Sequence, residues 1–114
     1  GIVAEPPTYD CHAATTFAVM QRVAPHYSTL LKYEQDNFPR IVGDVAKSWT
    51  VSSDSLVYTF KLHPNIKFHD GSILTSADVK ASYERMMSPP PGIVSARFTL
   101  FRKISSIHLN FSQF

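Results

Sequence analysis

His63, His69 and Asp70 are the residues of this 114-residue chain whose types and spacing could do chemistry. An imidazole and a carboxylate within one turn can serve as a general base and the group that orients it. Nothing completes such a site. The chain has no Gly-x-Ser-x-Gly elbow, no His-Glu-x-x-His pattern, no phosphate-binding loop and no paired cysteine motif. Gly71 follows Asp70 directly, and an Asp-Gly pair marks a tight turn, because glycine accepts positive φ and aspartate can bond its own backbone. His69, Asp70 and Gly71 therefore read as turn chemistry, and the chain reads as a non-enzyme. Cys11 and His12 are both metal-type donors, but two adjacent donors cannot make a site alone and their side chains need not converge. No metal and no cofactor is expected. Cys11 is the single cysteine, so no intrachain disulfide can form and cysteine usage does not report the redox compartment.

The elements that must position these residues follow one another between Val57 and Met87. Val57, Thr59 and Lys61 alternate with Tyr58, Phe60 and Leu62, a period-two pattern that predicts a strand over 57–62 with one buried face. After the turn at Asp70 and Gly71, Thr75, Ser76, Ala77 and Asp78 predict a helix start, with a hydroxyl to cap a free N–H and a carboxylate near the positive end of the helix dipole. Val79, Tyr83, Met86 and Met87 then form one stripe of that helix. Upstream, Val45, Trp49 and Val51 are expected to share a buried side of a second strand. Residues 52–55 have hairpin composition, although Asp54-Ser55 lacks the glycine that would ease a positive φ. The two strands should pair antiparallel, making Trp49 and Phe60 neighbours or near neighbours across the sheet, and core residues.

Towards the N-terminus, residues 1–4 predict a short strand, which Pro6 and Pro7 must end because neither can donate to a ladder. Thr15 or Thr16 is expected to cap a helix with Phe17, Met20, Ala24, Tyr27 and Leu31 on its buried stripe, and Pro25 should kink or end it. A strand is expected near residues 30–33, followed by a polar loop at 34–37. Past Met87, Ser88 to Gly92 make a helix stop and a stiff connector.

Composition sets the frame. Apolar residues at 44% and charged residues at 18% are globular proportions, not those of a disordered tail. The formal net charge is +2 and the basic residues are scattered, so no basic stripe argues for nucleic acid or an anionic membrane. No run approaches the roughly 18 apolar residues of a membrane span. No basic, apolar and small-residue signal pattern opens the chain.

Several of these motifs stand in an order and spacing that resemble one family. Ala46 to Trp49, Tyr58 to Leu62, Ile66-Lys67-Phe68-His69-Asp70-Gly71, Thr75-Ser76-Ala77-Asp78-Val79-Lys80 and Tyr83-Glu84-Arg85 are similar to the extracellular solute-binding proteins of family 5. These are periplasmic or lipid-anchored receptors of ABC importers for peptides, dipeptides or nickel. The resemblance runs to about residue 107, makes residues 104–107 the entry to the family's next strand, and implies roughly the N-terminal fifth of such a receptor.

The expected fold is α+β: an antiparallel sheet centred on the Trp49 and Phe60 strands with flanking helices, the 79–87 helix packed on one face. The resemblance makes this the incomplete N-terminal part of a periplasmic-binding-protein type II-like lobe. It places residues 1–35 at the start of the main ligand-binding lobe and residues 36–114 in a truncated side subdomain. The segment after the first strand lines the cleft in the family, which implies Glu5, Pro7 and Tyr9 as ligand-binding positions, with Arg97 as a weaker candidate. The implied partners are a peptide or other small solute and an ABC permease in the membrane. The implied location is periplasmic or extracellular, lipid-anchored in some relatives. Unfinished sheet edges and apolar surface make self-association an expectation. The alternative is a stand-alone or oligomeric interaction module without transport function.

Overall fold

A computed structural model describes residues 4–14, 16–93, 95 and 97–109. The chain divides into two compact units, Gly1–His26 with Thr75–Phe114 and, inserted between them, Tyr27–Leu74. The architecture is α+β, as expected. The strand expected at residues 1–4 falls mostly outside the described residues.

In the first unit, helix α1 (Phe17–Val23) starts after Thr16, whose backbone is extended at the N-cap position. It ends before Pro25 and tightens into a single 3₁₀ turn, Ala24–His26, the stop that proline imposes on the i to i−4 ladder. The buried face is Val19 and Val23. The expected Phe17 and Met20 stripe is not the core, for Phe17 is 68% exposed. Both sets have helical spacing, so periodicity alone does not choose between them, and packing selects the β-branched pair.

Helix α2 (Ser76–Met87) is opened by a capping box between Thr75 and Asp78. The Asp78 carboxylate accepts hydrogen bonds from the Thr75 N–H (2.7 Å) and hydroxyl (2.7 Å). These bonds, the backbone one first, hold the Asp78 carboxyl below the usual carboxylate range. Val79, Tyr83, Met86 and Met87 are all half-buried, the stripe read from the sequence. Tyr83 meets Phe101 of the one-turn helix α3 (Phe98–Phe101) edge-on, with ring centroids 5.5 Å apart. Burial pushes the Tyr83 hydroxyl pKa up. The packing found for α2 is within its own unit, against α3. Residues 104–107 form no strand.

The second unit holds two two-stranded antiparallel sheets. Strands β1 (Leu31–Tyr33) and β2 (Ile41–Gly43) pair Leu31 with Gly43 and Tyr33 with Ile41. Strands β3 (Ala46–Val51) and β4 (Tyr58–Leu62) pair antiparallel as expected, and of the two expected placements, neighbours or near neighbours, Trp49 and Phe60 take the first, with a bulge between Ala46 and Ser48. The turn between them works without glycine. Ser55 takes a φ of 60°, and the Asp54 carboxylate accepts from the Leu56 N–H (3.0 Å) and the Ser52 hydroxyl. Val45 and Ala46 are the buried apolar residues here, whereas Trp49 and Phe60 are half-buried and Val51 is exposed, a correction to the expected core. The aromatic pair lies on a sheet of two strands, six and five residues long, which is too small to enclose its own faces.

Gly43 is required by close approach, since a Cβ there would overlap the Ala46 carbonyl oxygen. Asp44 then ties the corner, accepting from the Thr29 N–H (2.9 Å) and the Lys32 ammonium (3.3 Å). Among the described residues no helix is long and apolar enough to cross a membrane.

Candidate functional site

The site proposed by the sequence begins at Glu5, Pro7 and Tyr9, in a segment without regular structure that precedes α1. A chain with two prolines in three positions cannot form a ladder, so it is held by side chains instead. Asp10 is the hub. Its Oδ1 accepts from the His12 backbone N–H (2.9 Å), its carbonyl accepts from the Ala13 N–H (3.1 Å), and its Oδ2 accepts from the Arg85 guanidinium of α2 (3.0 Å). Arg97 donates to the Cys11 carbonyl, and its second terminal nitrogen lies 3.5 Å from the Met20 sulfur. Arg22 of α1 faces the Glu5 carboxylate at 3.7 Å, a looser pair whose Glu5 side chain is 81% exposed. Three arginines from three places in the fold therefore reach one short stretch of chain.

Of the candidate ligand-binding residues, Glu5, Pro7 and Tyr9 lie exposed on this segment, and Arg97 is half-buried against its C-terminal end. Sequence reasoning did not single out Asp10, Arg22 and Arg85. Asp10 followed at two residues by a free N–H is a local turn signal, but no local pattern links it to an arginine 75 positions away.

His12 sits inside this arrangement. Its Nδ1 is enclosed and has no hydrogen-bond partner among the described residues. Burial holds the imidazole below its ordinary pKa, and the charges of Arg85 and Arg97 act in the same direction, against the opposing pull of Asp10. Cys11 is a free, half-buried thiol. No group of three or more His, Cys, Asp or Glu side chains that could hold a metal ion occurs among the described residues.

His69 and Asp70 do not form an acid–base pair. The Asp70 carboxylate is used by the Ser72 hydroxyl (2.6 Å) and N–H (2.9 Å), which hold its pKa down, and Gly71 takes a φ of 86°. In the second unit, Leu31, Lys32, Tyr33 and Ile41 line a shallow, mostly apolar groove that contains none of the candidate residues.

Comparison with known proteins gives the chain a context. The family described as bacterial extracellular solute-binding proteins, family 5 Middle, matches residues 40–108. A glutathione-binding protein of Pectobacterium atrosepticum is 38% identical over 78 residues, which is 68% of this chain and 14% of that protein. A periplasmic protein of Escherichia coli named for D,D-dipeptide binding is 33% identical over 99 residues, 84% of this chain and 19% of that protein. A Brucella ovis protein assigned by its name to peptide binding in an ABC transporter is 41% identical over 71 residues, 62% of this chain and 13% of its own length. The chain thus spans less than a fifth of the length of each of these relatives.

Proposed function

The chain belongs to the bacterial extracellular solute-binding proteins of family 5, and on that premise we propose that it is the N-terminal part of a receptor that delivers a peptide or similar small solute to an ABC permease. Its role is to bind and release, not to convert. Residues 1–35 begin the main ligand-binding lobe, of type II-like architecture, and residues 36–114 contribute to a side subdomain. The working location is periplasmic or extracellular.

The observation that carries this reading is the segment at Glu5, Pro7 and Tyr9. Tyr9 is 59% exposed and the Glu5 carboxylate is largely free, while the residues just after them are tied down. An exposed carboxylate and a phenol on an anchored segment suit one wall of a cleft for a solute with a cationic group and apolar surface. Arg97 borders the same segment. Names of relatives that refer to glutathione, dipeptides and peptides support the same solute class.

Tight binding in such receptors needs both walls, because burial of most of the ligand's surface supplies the affinity. One wall by itself is expected to bind no peptide with a Kd of about 1 μM or better. Calorimetry with a mixed peptide pool tests this. Weak or undetectable binding by the 114-residue chain, restored in a longer chain that includes the opposing lobe and lost there on Glu5→Gln with Tyr9→Ala, is the expected result. Tight one-to-one binding by the 114-residue chain would overturn it.

A second reading, an interaction module that associates with itself, is favoured by one observation. Val51, Leu56, Val57 and Tyr58 at the end of the β3–β4 hairpin are 44%, 80%, 58% and 58% exposed. Light scattering across a concentration series separates the two, since a strictly monomeric chain excludes the second.

A further inference from the structure

We propose that Asp10, Arg85 and Arg97 form a clamp that positions the segment at residues 5–9, where Glu5, Pro7 and Tyr9 are exposed, and that they act on solute binding through this segment without touching the solute. The proposal rests on the assignment of that segment to the binding cleft, and it deepens it by separating residues that contact ligand from residues that hold the contacts in place.

The division of labour follows from how each charge is used. Asp10 spends both carboxylate oxygens inside the protein, one on the His12 N–H and one on Arg85. Its charge is already met by the Arg85 guanidinium, and its two bonds take about half of the carboxylate's acceptor sites. Arg97 is drawn the same way, one terminal nitrogen to the Cys11 carbonyl and the other towards the Met20 sulfur. This reassigns Arg97 from ligand contact to positioning residue. Glu5 is different: its pair with Arg22 is long, and its side chain is exposed. The three contacts grip the segment at Glu5, Asp10 and Cys11, and the two short ones lie together at its C-terminal side. Pro6 and Pro7 stiffen the chain between the grips by fixing φ, so a fixed end at residues 10–12 transmits its position to Tyr9 and Glu5. A polar, proline-containing segment without ladder bonds would otherwise sample many conformations, and ordering it costs backbone entropy.

The experiment is amide hydrogen exchange on the 114-residue chain, read at His12 and Ala13, with the Val57 amide of the hairpin as an internal standard. Asp10→Asn keeps an oxygen for the His12 N–H and removes the charge that Arg85 holds, so it isolates the ion pair. Asp10→Asn, Arg85→Gln and Arg97→Gln are each expected to speed exchange at His12 and Ala13 by about fivefold, a partly exposed pair's share of local stability, and to leave Val57 unchanged. Arg85→Lys should recover most of the protection. Raising salt from about 0.05 to about 0.5 M should speed the same two amides in the wild type and not in Asp10→Asn. Unchanged exchange at His12 and Ala13, or a uniform change that includes Val57, overturns the clamp. If Arg85→Gln does not fold, the salt series on the wild type and Asp10→Asn decides. Exchange is read without solute, so a photoreactive peptide that labels the longer receptor away from residues 5–9 would overturn the cleft assignment and leave the clamp standing.

Discussion

Trp49 and Phe60 stand directly opposite one another across β3 and β4, and neither ring is buried. Their contribution is therefore that of a cross-strand aromatic pair on a half-covered face. Trp49→Ala or Phe60→Ala should cost about 1–2 kcal/mol, below the roughly 3–5 kcal/mol of a fully enclosed aromatic. Urea unfolding followed by far-UV circular dichroism checks this, and a loss above about 3 kcal/mol would show that the face is covered in solution.

Val19 and Val23, by contrast, are the buried residues of α1, with Val19 fully enclosed. Val19→Ala should destabilise the first unit by about 1–3 kcal/mol, whereas Phe17→Ala, on the exposed face, should stay within about 0.5 kcal/mol. Thermal melts of the two variants give the ranking, and a larger effect at Phe17 would reverse the assignment of the buried face.

The Thr75 cap makes a local prediction. Removing the hydroxyl in Thr75→Ala leaves the Asp78 carboxylate with the N–H alone, and the expected loss is about 1 kcal/mol. Asp78 has a lowered pKa in the folded chain, so its stabilising effect is present above its ordinary value of 3.8 and is lost as the pH falls through the folded value. Thr75→Ala should flatten that acid limb, visible in melting temperatures measured below pH 5.

His12 acts in a higher pH window with the same sign. Its folded pKa lies below the ordinary 6.5, so the unfolded chain takes up the proton first and stability falls as the pH drops from about 7 towards 5. His12→Asn should remove this slope while leaving the Asp78 limb in place. A wild-type melting temperature that is flat across the same window would contradict the enclosed position of the ring.

Gly43 offers a steric test. Any Cβ at this position meets the Ala46 carbonyl oxygen, so Gly43→Ala must displace the corner that Asp44 ties to Thr29 and Lys32. A loss of about 1–3 kcal/mol is expected, comparable to overpacking a core. Tolerance of alanine with an unchanged melting temperature would mean that β2 and β3 do not approach so closely.

The sequence by itself determined the parts whose partners lie a few residues apart. The antiparallel β3–β4 pairing, the Asp70 and Gly71 turn, the Thr75 cap and the end of α1 before Pro25 are all legible, because hydrogen bonds between near neighbours, fixed φ at proline and side-chain alternation are local properties. Family membership was legible for the same reason, since it rests on such motifs in order. Tertiary structure decided which helical stripe is buried, that α2 packs on α3, and that Asp10 meets Arg85 and Cys11 meets Arg97 across 75 and 86 residues. Those choices were not legible because Phe17 with Met20 and Val19 with Val23 satisfy the same period, and because any of the scattered arginines could have reached Asp10. What selects among them is the free energy of long-range packing and charge pairing, which no local spacing encodes.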